Sequence, residues 1–210
     1  MVFQIARRVS AGVDLGAGED TMTVLSNRFD VLGALTIKGA GQAAKSQQVA
    51  LTPFAGNIEG ATTVVFGGGL LELTVGGLGG QTQRFNGGLA VTGANDFDSV
   101  FLKGGVTVGG TLSVDGKNGG SLLRLDPGSS LYAGAITMKG GTGVDQFTVG
   151  AGSTLISAGA LTLGLGDDTR FGEAEHALRL EERGPRAVQP ARVVTLLQRH
   201  AEKNEPGSVR

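Results

Sequence analysis

The side chains that could do acid–base or metal chemistry in this chain are few in kind: 19 Asp and Glu, 2 His and no Cys among 210 residues. Without thiols there are no disulfides and no thiolate metal sites, which fits a reducing compartment and equally fits exported bacterial surface proteins. Part of the acid sits in glycine-rich loops. Gly140-Gly141-Thr142-Gly143-Val144-Asp145 is one such loop, and Gly164-Leu165-Gly166-Asp167-Asp168 is the next. Asp145 and Asp168 take equivalent loop positions, so stacked strands would bring their carboxylates to about 4.8 Å. Such a pair is relieved by a raised pKa in one acid, by splaying into solvent, or by a shared cation. Asp145, Asp168 and Asp167, with loop carbonyls, would hold calcium weakly, in the roughly 0.1–1 mM range of extracellular modules. The same Gly and Asp residues also serve tight turns without any ion.

The elements that position these loops are short strands. Gly140, Gly164 and the earlier turn glycines Gly16, Gly39, Gly67, Gly93 and Gly116 lie 23 to 28 residues apart. Repeats of this length read as a solenoid whose units must stack to bury their apolar faces. Just past each loop come paired apolar positions: Met22/Val24, Val49/Leu51, Leu71/Leu73, Val100/Leu102, Leu123/Leu125 and Phe147/Val149. A later run in each unit gives Leu35/Ile37, Val64/Phe66, Leu89/Val91, Leu112/Val114, Ile136/Met138 and Leu161/Leu163. A weaker middle run carries Phe29/Val31, Phe85, Val106/Val108, Leu131 and Leu155. Period-two alternation in runs this short predicts strands whose apolar members point inward. The expected fold is all-β, a right-handed parallel β-helix of about six coils with three short strands per coil. Residues 39–93 can also be threaded with Leu73-Thr74-Val75 as a third strand, and Pro53, Gly56 and Asn57 suggest an outward loop there.

Composition agrees. There are 38 Gly and only 5 Pro, and the glycines do not fall at every third position, so collagen is excluded and the glycines serve turns. A hydrophobic fraction of 40% supplies a core, and 5% aromatics with no Trp means that it is built from aliphatic layers. A net charge of −1 gives no reason to expect nucleic acid as a partner, and no apolar run of about 18 residues is present for membrane insertion.

Three domains are expected: an N-terminal cap at 1–13, the β-helix at 14–168, and a charged tail at 169–210. Arg170 falls at a position counted as inward, which a solenoid interior does not accept unpaired. Residues 171–210 hold 13 charged residues, against 24 in the preceding 170. Glu173 to Arg183 and Ala191 to Lys203 read as helices, so the tail is either a partly helical cap or a disordered segment.

The turn Gly140 to Asp145 followed by Phe147-Thr148-Val149, and the run Gly159-Ala160-Leu161-Thr162-Leu163-Gly164, resemble the Gly-Asp-rich β-strand repeats of bacterial extracellular adhesin-type β-helices. The resemblance covers about residues 14–168. It implies an extracellular or cell-surface location and a non-catalytic stalk or adhesive segment, whose partner is a surface ligand or other repeats of the same protein. Gly140 to Thr148 also resembles the calcium-binding nonapeptide of haemolysin-type repeats, although here the loops are 23 or 24 residues apart and not in tandem.

Some β-helices degrade polysaccharides, and that alternative requires paired carboxylates, or a carboxylate and a base, on one exposed face. The outward column of the first strands reads Thr23, Ala50, Glu72, Phe101, Arg124, Thr148, and offers no such pair. Both histidines, His176 and His200, lie in the tail, and Ser129-Ser130 has no His within the repeat to activate it. No catalytic residues and no tightly bound cofactor are expected. The outward third-strand column of Thr36, Val65, Ala90, Ser113, Thr137 and Thr162 is too sparse in hydroxyls to order ice.

Overall fold

The computed structural model describes residues 10–40, 45–53, 55–164 and 170–171, the last pair by backbone only. These residues form a parallel β-helix of six complete coils. First strands are Thr21–Val24 (β2), Ser46–Leu51 (β5), Leu70–Gly76 (β8), Asp98–Lys103 (β11), Ser121–Leu125 (β13) and Asp145–Val149 (β15). Second strands are Arg28–Val31 (β3), Ala55–Ile58 (β6), Thr82–Phe85 (β9), the leading parts of Gly105–Asp115 (β12) and Ser130–Lys139 (β14), and Thr154–Ser157 (β16). Third strands are Leu35–Gly39 (β4), Thr62–Phe66 (β7), Leu89–Thr92 (β10), the trailing parts of β12 and β14, and Leu161–Gly164 (β17). Ala11–Asp14 (β1) precedes the first complete coil and Arg170–Phe171 (β18) follows the last. Every pairing is parallel, from each coil to the next.

The alternation read from sequence is the alternation of burial. Met22, Val49, Leu73, Val100, Leu123 and Phe147 form one inward column, and Val24, Leu51, Val75, Leu102, Leu125 and Val149 the next, none more than 8% exposed. Burying an aliphatic or Phe side chain contributes about 1.5–3 kcal/mol, so stability is spread along the whole rod.

Between second and third strands the chain bends at a spine of glycines: Gly33, Gly60, Gly87, Gly110, Gly134 and Gly159. A Cβ on Gly60 would lie 2.6 Å from the Gly33 carbonyl carbon, and one on Gly159 would lie 2.7 Å from the Gly134 carbonyl oxygen. Coil-to-coil bonds run through this spine, Gly60 N–H to Gly33 O at 3.0 Å and Gly110 N–H to Gly87 O at 2.9 Å. Only a residue without a side chain lets two backbones bend on one another at that distance.

Register corrects the sequence reading in residues 39–93. In the second coil Val64 stands opposite Ile37 and Phe66 opposite Gly39, so the reading that paired Val64/Phe66 with Leu35/Ile37 is off by two. Phe66 fills space that Gly39 leaves, since a Cβ on Gly39 would run into the Phe66 ring, and Thr62 falls into the buried column between Leu35 and Leu89. In the third coil Leu73 and Val75, and not Leu71 and Leu73, stand opposite Val49 and Leu51. Leu73-Thr74-Val75 therefore belongs to a first strand, and Gly56 and Asn57 lie in β6 rather than in an outward loop. The outward columns change accordingly: Thr74 replaces Glu72 beside Ala50 and Phe101, and Thr63 replaces Val65 beside Thr36 and Ala90.

The ends differ from expectation as well. Leu161 and Leu163 are half-buried, because among the described residues β17 pairs only with β14 and no strand stacks on its other side. β1, which begins within the segment read as a cap and runs one residue beyond it, continues the third-strand ladder with Ala11 opposite Leu35. Arg170 stands opposite Gln146, a position on the outward alternation, and Phe171 stands opposite Phe147 on the inward one. The count that made Arg170 inward and ended the repeat there is off by one. Residues 1–9 and 172–210, including the two expected helices, lie outside the described residues.

Gly60→Ala is expected to destabilise by about 1–3 kcal/mol through overpacking, whereas Gly12→Ala, with nothing within 4 Å of its Cβ position, should leave the urea midpoint within error. Equal midpoints for the two variants would show that the spine does not need glycine. Leu112→Asp is expected to abolish the cooperative melt, and Ser113→Asp, one residue on and outward, to cost under about 1 kcal/mol.

Candidate functional site

The polar groups most tightly held by this fold lie inside it. At the corner leading into the first strands, Gln47 stands opposite Leu71, and Asp98, Ser121 and Asp145 occupy successive coils of one column. Gln47, Ser121 and Asp145 are 0% exposed and Asp98 is 2% exposed. Each has glycine behind it where the preceding third strand ends. A Cβ on Gly93 would overlap the Asp98 carboxylate and one on Gly140 would overlap that of Asp145, while one on Gly116 would come within 2.9 Å of Ser121. The repeated Gly-x-x-x-x-(Asp or Ser) spacing is thus a cradle as well as a turn.

Asp98 is held by the backbone. Its Oδ1 accepts from the Leu71 N–H at 3.2 Å and its Oδ2 from the Ala94 N–H at 3.1 Å. Burial pushes its pKa up to about 6, those two amides pull it down, and the charge of Asp96 adds to the rise. Asp145 accepts from the Ser121 hydroxyl at 2.7 Å, and its Oδ2 has no hydrogen-bond partner among the described residues. Gln47 donates to the Gly16 carbonyl at 3.3 Å and to Asp20 Oδ2 at 3.1 Å.

Of the three acids expected to hold calcium, Asp145 is the one described, and its carboxylate is inside the coil against Ser121. Asp167 and Asp168 lie outside the described residues. Since Gln146 faces Arg170, the loop count that made Asp145 and Asp168 equivalent is displaced by one residue from the ladder. Sequence reasoning placed Asp145 in a loop and missed the inward column. The signal was present in the five-residue spacing from Gly93 to Asp98, Gly116 to Ser121 and Gly140 to Asp145.

On the outer faces, the carboxylates that have polar partners are matched with cations or amides. Asp30 pairs with Arg28, Asp126 with Arg124 at 2.9 Å and Lys103 at 3.7 Å, Asp115 with Lys117 at 2.8 Å, and Glu19 with Lys45 at 3.2 Å. Glu59 accepts from the Asn57 amide at 2.5 Å and the Asn86 amide at 2.6 Å. Ser129 is buried and accepts from the Gly104 N–H at 2.9 Å, which makes it a turn residue. Among the described residues no group of three or more His, Cys, Asp or Glu is placed to hold a metal ion, and both histidines lie outside them. Comparison with protein families, with curated proteins and with solved structures finds no match for this chain.

The raised Asp98 carboxyl makes the folded state bind a proton that the unfolded chain releases between the ordinary value of 3.8 and about 6. Its protonation therefore stabilises the fold fully below 3.8, and that contribution is lost as pH rises through 6. Asp115 acts in a separate window. Burial raises its carboxyl, but the hydrogen bonds and charge of Lys117, with Lys139, hold it below the ordinary range, so its contribution is lost only as pH falls below 3.8. The melting temperature is expected to rise between pH 7 and pH 4.5, and Asp98→Asn to flatten that rise. A wild-type profile that falls over the same interval would refute the assignment.

Proposed function

We propose that this chain is a non-catalytic structural or adhesive segment of an exported bacterial surface protein. The observation that carries the reading is the unbroken parallel ladder from β2 to β18, in which every coil presents the same three outward faces. Six strand-to-strand steps give a rod of roughly 29 Å. Such an object spaces its ends and lays out long outward columns of side chains, the two properties that a stalk or an adhesive face requires. The pairing of outer carboxylates with Lys, Arg and amides supports the same reading, because an acid held in an ion pair is a poor proton donor and a poor general base near neutral pH.

The test is adhesion without turnover. Cells displaying the chain should gain adherence to host or abiotic surfaces in proportion to display level, and purified chain incubated with a panel of acidic polysaccharides should leave their length unchanged by size-exclusion chromatography. Shortened polymer, lost on substitution of an outward acid, would make the protein an enzyme instead.

A further inference from the structure

One outward column differs in chemistry from the rest. On the second-strand face, Arg84 stands opposite Thr107 and Thr107 opposite Tyr132. Tyr132 is the only Tyr in the chain and is 45% exposed on an outer sheet face. Its exposure has a physical cause. Along the strands Gly109 follows Thr107 by two residues and Gly134 follows Tyr132 by two, so no outward side chain flanks the ring on that side, while Ile156 stands opposite Tyr132 on the next coil. At the other end Arg84 is exposed and has no carboxylate within ion-pair distance among the described residues, while Arg28, two coils away on the same face, and Arg124, on the first-strand face, are both paired. The acid nearest in sequence on that face, Glu59, is occupied by Asn57 and Asn86.

We propose that Arg84, Thr107 and Tyr132 form a subsite for a carboxylate-bearing sugar of an acidic glycan. Two coil steps separate Arg84 from Tyr132, about 10 Å between backbones. That distance suits one pyranose ring lying over the strand at Thr107, with its C–H face on the Tyr132 ring and its carboxylate at the Arg84 guanidinium. An aromatic face gives a rigid apolar platform with a polar edge, and a guanidinium matches a carboxylate with two parallel N–H donors. Thr107 supplies a hydroxyl between them that can donate to or accept from a ring hydroxyl. A free cation at the subsite favours a carboxylated over a neutral sugar, because the charge pair is made only on binding.

This inference rests on the adhesive reading and names its ligand class. The test uses the full chain in titration calorimetry with oligogalacturonate, its methyl ester, sialyllactose and lactose. At low salt, oligogalacturonate or sialyllactose is expected to bind at least tenfold more tightly than its uncharged counterpart, and which of the two binds decides whether the sugar is a chain uronate or a terminal sialic acid. Arg84→Gln, Tyr132→Ala and Thr107→Glu should each lower affinity tenfold or more with unchanged melting temperatures, and Arg124→Gln on the first-strand face should bind as wild type. Binding of neither acidic sugar, or equal affinity in the Arg84 and Tyr132 variants, would overturn the subsite. Adherence of displaying cells that persists in the Arg84→Gln, Tyr132→Ala double variant would overturn it too, while leaving the adhesive reading in place.

Discussion

The backbone ladder that runs along the axis is the constraint from which the rest of this structure follows. Each coil bonds to the next through parallel N–H to carbonyl contacts in three strand families, so residues meet their equivalents one coil away at a fixed separation of about 4.8 Å. A column is therefore the unit of packing. Val49 needs a tolerable neighbour at Leu73, and Leu73 one at Val100, but Met22 and Phe147 never meet. The glycine spine is the price of closing the coil at one corner, since Gly60 and Gly33 approach closer than any side chain permits. In the fourth and fifth coils the second and third strands run on through the bend as single strands, β12 and β14.

The interior is not uniformly apolar. Asp98, Ser121 and Asp145 sit in consecutive coils at one corner, each provided for locally: two backbone amides for Asp98, a hydroxyl for Asp145, and glycine room behind all three. A buried carboxylate without such partners costs several kcal/mol, which ties these residues to one register. A shift of one residue would aim the acids at solvent and remove their donors. Polar groups at this corner thus serve the same end as the leucines beside them, by making one alignment of successive coils better than its neighbours.

With the interior committed to stacking, chemistry is left to the outward columns, and these are independent of one another. The first-strand face carries Phe101 with Lys103 above its ring at 5.7 Å, and an Arg124–Asp126–Lys103 charge cluster. The second-strand face carries Asn57, Arg84, Thr107, Tyr132 and Ile156 in one column. The third-strand face carries a hydroxyl column of Thr36, Thr63, Ser113, Thr137 and Thr162 interrupted only by Ala90. Faces can diverge in this way because an outward side chain is felt by its neighbours in the column and hardly at all by the core.

What the sequence by itself determined is the class of fold. Alternation such as Leu123-Arg124-Leu125 and Phe147-Thr148-Val149, punctuated by glycine every two dozen residues, has one stable solution, since strands that short bury their apolar faces only by stacking. From Val100 to Leu163, where units of nearly equal length repeat, it also determined register, and past Gly164 the count slips by one residue. Only the tertiary structure decided register where unit lengths vary, at Thr62 and Leu73, because the inward face there offers three buried positions in a row, Thr62, Val64 and Phe66 or Leu71, Leu73 and Val75, and counting from the nearest glycine does not tell which two of them continue the columns. It likewise decided that Asp145 points inward. A Gly-Asp turn reads identically whether its acid faces solvent or core, and the difference lies in the Ser121 hydroxyl one coil away, 24 residues distant in sequence and 2.7 Å distant in space.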